Sequence, residues 1–218
     1  MEKENRKALV QGAKSFGIHL GEEQVEAFDI YLRELLKWNQ KISLTAIRTE
    51  KGIVLKHFLD SLSAYPHLSS ISSLLDIGSG AGFPGIPLKI VKPSLEVLLI
   101  DSVRKKVDFQ RHILRMLGLK GIEAIHGRAE DQAIVRSREG RFDMVISRAF
   151  SDLKRLLTLG FPFLKKGGLL LAMKGEAVEE EAQRVNTREE TRYRFHQSLS
   201  FTLPFSSFKR SILLFEKT

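Results

Sequence analysis

The sequence predicts an α/β fold: a mostly parallel seven-stranded sheet that ends in an antiparallel hairpin, preceded by an N-terminal helical extension. Three observations predict it. Short apolar runs alternate with amphipathic stretches after residue 70, the pattern of buried parallel strands with helices on both faces. The first seventy residues carry helical rather than alternating periodicity. The last two strand-like runs are separated only by a loop around Pro204, too short for a crossover, so they pair as a hairpin. The expected units are a helical extension over 1–70 and an α/β domain over 71–218, forming one structural unit.

Each element has its own warrant. From Gln24 to Lys37, Val25, Phe28, Leu32, Leu35 and Leu36 form one stripe at helical spacing. Glu22 and Glu23 stand just before them, where the positive end of a helix dipole favours acids. Thr49 suits the N-cap of a second helix that carries Ile53, His57 and Asp60 and stops near Pro66. The expected strands are Ser73–Ile77, Leu95–Ile100, Ile122–His126, Phe142–Ser147 and Leu169–Met173, then Phe195–Leu203 and Ser211–Phe215 as the hairpin. Helices are expected to begin near Gly85, Arg104, Ala129 and Asp152. The acidic run Glu179–Glu181 reads as a solvated helix face.

Composition excludes several classes. The 218 residues are 43% hydrophobic and 28% charged, a balance that suits a packed core and not a disordered chain. There is no cysteine, which removes disulfides, thiolate metal sites and any cysteine nucleophile. The longest stretch without Asp, Glu, Lys or Arg, Ser61–Leu75, has 15 residues, fewer than the ~20 apolar ones a membrane span needs. The N-terminus lacks the apolar centre of a signal peptide, so the expectation is a soluble cytoplasmic protein. The six histidines show no metal-ligand spacing, and no metal is expected. Net charge is +9; segments 1–72, 73–150 and 151–218 carry +1, +4 and +4. A basic surface recruits polyanions by releasing their counterions, although a lineage of basic proteins gives the same number.

The segment Leu75-Asp76-Ile77-Gly78-Ser79-Gly80-Ala81-Gly82-Phe83-Pro84-Gly85 closes the first strand and opens a helix, the setting of a nucleotide-binding turn. A dinucleotide fingerprint can be read at Gly80, Gly82 and Gly85. Asp76 argues against it, because a carboxylate there opposes a pyrophosphate and favours an ammonium and a sulfonium. The cofactor expected is therefore S-adenosyl-L-methionine, seated on Gly78 and Gly80. Asp101 ends the second strand, where a carboxylate can accept two ribose hydroxyls; capping the next helix is its other reading. Ala129-Glu130 follows the third strand, where an adenine would lie, and Glu130 reads equally as a first-turn helix acid. Arg148 ends the fourth strand at the expected topological switch point, placed for a cofactor carboxylate or a substrate phosphate. Phe150 can stack a base or sit in the core. Lys174 ends the fifth strand; with Arg104, Lys105 and Lys106 it is the candidate contact to RNA. His57 reads more simply as a structural histidine than as a ligand.

These residues carry a resemblance. Trp38-Asn39, Leu44-Thr45, His57-Phe58-Leu59-Asp60-Ser61-Leu62, Asp76–Gly85, Asp101-Ser102, Lys105-Lys106, Gly127-Arg128-Ala129-Glu130, Ser147-Arg148-Ala149-Phe150 and Leu171-Ala172-Met173-Lys174-Gly175 resemble the bacterial small-subunit ribosomal RNA guanine-N7 methyltransferases, the glucose-inhibited division protein B family (RsmG/GidB). Ser43 departs from the asparagine that many members have before Leu44-Thr45. The resemblance implies a Rossmann-like class I methyltransferase fold and methyl transfer to N7 of one guanosine. It implies 16S ribosomal RNA or the small ribosomal subunit as partner; the chain is expected to be a monomer. It also implies cofactor contacts from Gly78, Phe83, Ala129, Glu130 and Arg148, with Asp101 at the ribose. No catalytic acid or base is expected, because guanine N7 has a lone pair and no proton to lose. Two rivals stand beside this reading: a nicotinamide-dependent oxidoreductase, and an RNA-binding module with an inactive site.

Overall fold

The computed structural model describes residues 1–148, 150, 152–175 and 192–218. Ala149 of the strand-end motif and the acidic run Glu179–Glu181 lie outside them. Two helices, α1 (Lys3–Lys14) and α2 (Glu22–Asn39), open the chain. The Thr49 hydroxyl accepts from Gly52 N–H and caps α3 (Glu50–Ile53). The helix then widens into a π-helix, Val54–Leu59, before a last α-turn, α4 (Asp60–Leu62). The sequence pattern predicts one plain helix here, and the π segment is the first departure from it.

The sheet follows: β1 (Ser73–Ile77), β2 (Glu96–Asp101), β3 (Ile122–His126), β4 (Phe142–Arg148), β5 (Leu164–Lys174), β6 (Tyr193–Thr202) and β7 (Lys209–Lys217). Their spatial order is β3-β2-β1-β4-β5-β7-β6. The first five are parallel, and β7 pairs antiparallel with both β5 and β6. The order reverses between β1 and β4, which makes the carboxyl ends of those strands the switch point. Between the strands lie α5 (Gly85–Val91), α6 (Arg104–Met116), α7 (Gln132–Arg138) and α8 (Leu153–Gly160). The helix expected near Ala129 starts three residues later, behind Asp131, whose carboxylate accepts from Arg128 N–H at 2.8 Å.

Two cores flank the sheet. One runs from Leu9 through Phe28, Leu32 and Phe58 to Leu74, Leu99, Ile146 and Leu214, so the N-terminal helices and one sheet face share a single interior. The other gathers Leu75, Val145, Leu156, Leu170 and Leu213 on the opposite face. The helical extension therefore covers the sheet, and its π segment reaches the end of β4.

Candidate active site

The turn after β1 is held from three sides. Gly78 and Ser79 N–H donate to Ile100 O at 2.9 and 3.1 Å, Gly80 N–H donates to the Asp101 carboxylate at 2.7 Å, and Gly85 N–H donates to Asp76 Oδ2 at 2.9 Å. Gly85 is closely packed, because a Cβ there would stand 2.3 Å from Leu99 Cδ2 and 3.0 Å from Asp76 Oδ2. Gly78 is different. Its φ is +72°, and a Cβ would meet no heavy atom within 4 Å. Packing leaves that space empty, as a ligand seat requires.

The seat belongs to a cleft of about 190 Å³ lined by Gly78, Asp101, Ala129, Glu130 and Phe150, among others. Four of the seven residues expected at the cofactor are thus brought together. Asp101 braces the loop and leads into the next helix: Oδ2 holds Gly80 N–H, while Oδ1 accepts from Val103 N–H at 2.8 Å just ahead of α6. Each carboxylate oxygen keeps a second lone-pair direction for a hydroxyl. Glu130 sits in the turn before α7 and pairs with Arg155 at 3.3 Å, so the helix-acid reading fails. The glycine seat and the acid beside it fit a ligand with a diol, while Asp76 Oδ1, unpartnered and fully buried, lies behind the loop and is not among the residues lining the cleft.

Asp76 corrects a simple expectation. It is no fixed anion: burial pushes its pKa up to about 7, against the pull of Gly85 N–H and of Arg148. Phe83 also differs. Its ring is buried and stacks with Tyr31 (5.2 Å between centroids) and His57 (4.5 Å), so the residue serves the loop through its backbone. Lys174 is buried at the end of β5, opposite Ser211, and does not lie on an open RNA-facing surface. Arg104 and Lys105 are exposed, and Lys106 half-exposed, at the N-terminus of α6. Cations at the positive end of a helix weaken it, so folding does not explain this triplet.

Arg148 turns towards the N-terminal helices and is not among the residues lining this cleft. Its guanidinium donates to Lys56 O at 3.0 Å and to His57 Nδ1 at 2.9 Å, and meets the Asp60 carboxylate at 3.3 Å. A guanidinium only donates, so His57 carries its proton on Nε2 and gives it to Thr45 Oγ1, 2.7 Å away. Burial and the neighbouring Arg148 lower the His57 pKa to about 3, keeping the ring neutral. His57 is structural. Asp60 also accepts from Arg210 Nε of β7 at 2.9 Å, closing a partly buried chain of polar contacts from Thr45 to the hairpin. Burial raises its pKa, with both arginines opposing.

Sequence reasoning gives no role to three parts. Tyr31 donates from its buried hydroxyl to Ala81 O at 2.5 Å, tying α2 to the glycine loop. Gln110 of α6, fully buried, donates to Ser79 Oγ at 2.8 Å and Gly80 O at 2.7 Å and so props the loop from below. Asn39 accepts from Leu44 and Thr45 N–H and donates to Thr45 O, which sets Thr45 against His57. A polar residue on an otherwise apolar face of α6 was the one signal for Gln110.

The family model for rRNA small subunit methyltransferase G (GidB) matches residues 24–209. The chain belongs to that family. Similar curated relatives are the ribosomal RNA small subunit methyltransferase G of Geotalea uraniireducens, 44% identical over 100% of this chain and 99% of its own, and that of Acetivibrio thermocellus, 41% identical over 97% and 88%. Among solved structures, precorrin-6y C5,15-methyltransferase from Geobacter metallireducens shares the fold with a TM-score of 0.53. It is 15% identical, over 80% of this chain and 91% of that one. The family and the sheet order agree: this is a Rossmann-like, class I methyltransferase fold.

Proposed function

We propose that this chain transfers a methyl group from S-adenosyl-L-methionine to N7 of a guanosine in small-subunit ribosomal RNA. The observation that carries the proposal is the conjunction of membership in the rRNA small subunit methyltransferase G family with an open glycine seat beside Asp101 at the switch point. When bound, the cofactor supplies an electrophilic methyl on a cationic sulfur. Gly78 gives its backbone a close approach, Asp101 receives the ribose hydroxyls, and Ala129 and Glu130 border the adenine. Asp76 lies under the loop, and an ionised carboxyl there favours a cationic head. N7 attacks with a lone pair and loses no proton, so the protein has only to align nucleophile and methyl and exclude water. No side chain is assigned as acid or base.

The same proposal takes 16S ribosomal RNA or a small-subunit particle as substrate, and a monomer working in the cytoplasm. The helical extension 1–70 and the domain 71–218 act together, since they share one core. Tritiated S-adenosylmethionine incubated with deproteinised small-subunit RNA, and with particles from a strain lacking the enzyme, tests it. The expected result is label in one guanosine, located as N7-methylguanosine by chain cleavage after reduction. Label on another atom, or none on either substrate, refutes the proposal. Titration with NADH beside S-adenosylhomocysteine excludes the oxidoreductase when only the latter binds.

A further inference from the structure

In the pairing of β7 with β5, Ser211 stands opposite Lys174. The loop that feeds β7, Leu203 to Phe208, therefore projects from the same carboxyl edge as Gly78, Asp101 and Arg148. Strands lie about 4.8 Å apart, so two spacings put this loop roughly 10 Å along the edge from the end of β4.

Two phenylalanines occupy it. Phe205 is 57% exposed, and its φ of 58° is left-handed. A bulky side chain adopts that conformation at a cost, and here it is held in place without being buried. The hold is local. Leu203 is buried and donates to Phe208 O at 2.9 Å, Ser206 N–H and Oγ–H both donate to Leu203 O, and Phe208 N–H donates to Ser206 Oγ at 3.2 Å. Phe208 has the Lys56 ammonium 4.1 Å from its ring centre and the Arg210 guanidinium 5.9 Å away. Phe205 rims a groove of about 280 Å³ between α1 and the π segment, whose charged lining is Lys7, Lys51 and one acid, Glu4. The loop thus carries one phenylalanine ring within reach of two cations and a second, exposed one at the rim of a groove lined by two lysines.

We propose that the Leu203–Phe208 loop, flanked by Lys51 and Lys56, is a stacking platform for unpaired nucleotides next to the target guanosine. The inference rests on the RNA-methyltransferase reading and adds where the RNA lies. Every base has a face to stack, and its phosphate needs a cation within a side chain's reach. A purely apolar protein partner would use the groove but not the lysines. The network from Arg210 through Asp60 to Arg148 ties the platform to the switch point, so RNA held on the loop is positioned relative to the cofactor seat.

The test uses the full chain and a fluorescein-labelled single-stranded RNA fragment of small-subunit ribosomal RNA containing the target guanosine. Anisotropy should show Phe205→Ala and Phe205→Leu binding roughly 5- to 100-fold more weakly, as loss of one stacked base predicts. Phe205→Trp should retain affinity. The salt slope of binding should be unchanged in the Phe205 variants and fall by about 0.7 in Lys51→Gln. In turnover, KM for RNA should rise while kcat holds, and S-adenosylhomocysteine affinity by calorimetry should stay at the wild-type value. Wild-type affinity in Phe205→Leu would show that the ring merely covers the groove, and overturns the proposal. Weakening confined to ribosomal particles, with the RNA fragment bound normally, would assign the loop to a ribosomal protein and overturn it as well. Failure of the wild-type chain to methylate RNA would instead sink the underlying reading, and the wild-type control shows that separately.

Discussion

Replacing Asp76 by asparagine gives the sharpest reading of the site's electrostatics. The carboxyl is fully buried, with Oδ2 accepting from Gly85 N–H and Oδ1 without a partner. Burial moves its pKa to about 7, whereas an unfolded aspartate titrates near 3.9. Between those values the folded chain keeps a proton that the unfolded chain has released, so stability falls as pH rises. The slope is about 1.4 kcal/mol per pH unit and levels off above about 7. From pH 5 to 8 the loss is about 3 kcal/mol. Asparagine keeps the shape and the acceptor for Gly85 but cannot ionise. Relative to Asp76→Asn, the wild-type chain should therefore lose about 3 kcal/mol across that interval, or roughly 6–12 °C in Tm for a domain of this size. Subtracting the variant also removes the contribution of His57, which is common to both chains and runs the other way. Its pKa is depressed to about 3, so its share of stability is lost as pH falls below 6.5. Urea denaturation at pH 5, 6, 7 and 8 is the assay. Parallel stability curves for the two proteins would refute the assignment of a proton to Asp76.

Two further outcomes follow from the same geometry. Gly85→Ala places a Cβ 2.3 Å from Leu99 and 3.0 Å from Asp76 Oδ2, and should destabilise the fold by about 1–3 kcal/mol in urea; an unaffected midpoint would contradict the packing. Arg104, Lys105 and Lys106 replaced together by alanine should weaken RNA binding and lower the log–log salt slope by about 0.7–0.9 for each phosphate no longer neutralised, with S-adenosylhomocysteine affinity unchanged. An unchanged slope would leave the triplet as ordinary solvated charge.

The legible parts of this molecule are those set by local pattern. β1 and β3 have the bounds their apolar runs predict, and the glycine turn sits where strand gives way to helix. β5 begins at Leu164, five residues before the expected Leu169, because Leu164 already pairs with Phe142 of β4 and Lys165-Lys166-Gly167-Gly168 forms the irregularity between that pair and the regular pairing from Leu169, with Gly167 at a φ of +73°. The helix after β3 waits for Asp131 because the turn through Ala129 and Glu130 borders the cleft. Lys174 reads as a surface cation from sequence, since a strand end says nothing about what covers it. The π segment is invisible for the same reason. Its Lys56 carbonyl and His57 ring meet a guanidinium some ninety residues along the chain, and no local periodicity encodes that encounter.

Arg148 is where the resemblance and the geometry pull apart. The resemblance implies a cofactor contact; the structure shows a strut that joins β4 to the π segment and, through Asp60, to Arg210. Truncation separates the two. Arg148→Ala takes one of two arginines from a buried carboxylate and a donor from Lys56 O. The cost should be about 3 kcal/mol, the low end for breaking a buried pair, because Arg210 still holds Asp60 Oδ1. The sign of its pH dependence is set by the three groups that Arg148 holds down, Asp60, Asp76 and His57. Without Arg148 all three climb, the folded state keeps their protons to higher pH, and the deficit grows as pH rises. If Arg148 also serves the cofactor, calorimetry below the unfolding temperature should show S-adenosylhomocysteine binding about tenfold more weakly, the penalty for orphaning one polar partner. Wild-type cofactor affinity in a chain that has lost its stability would refute that role and leave Arg148 as the strut alone.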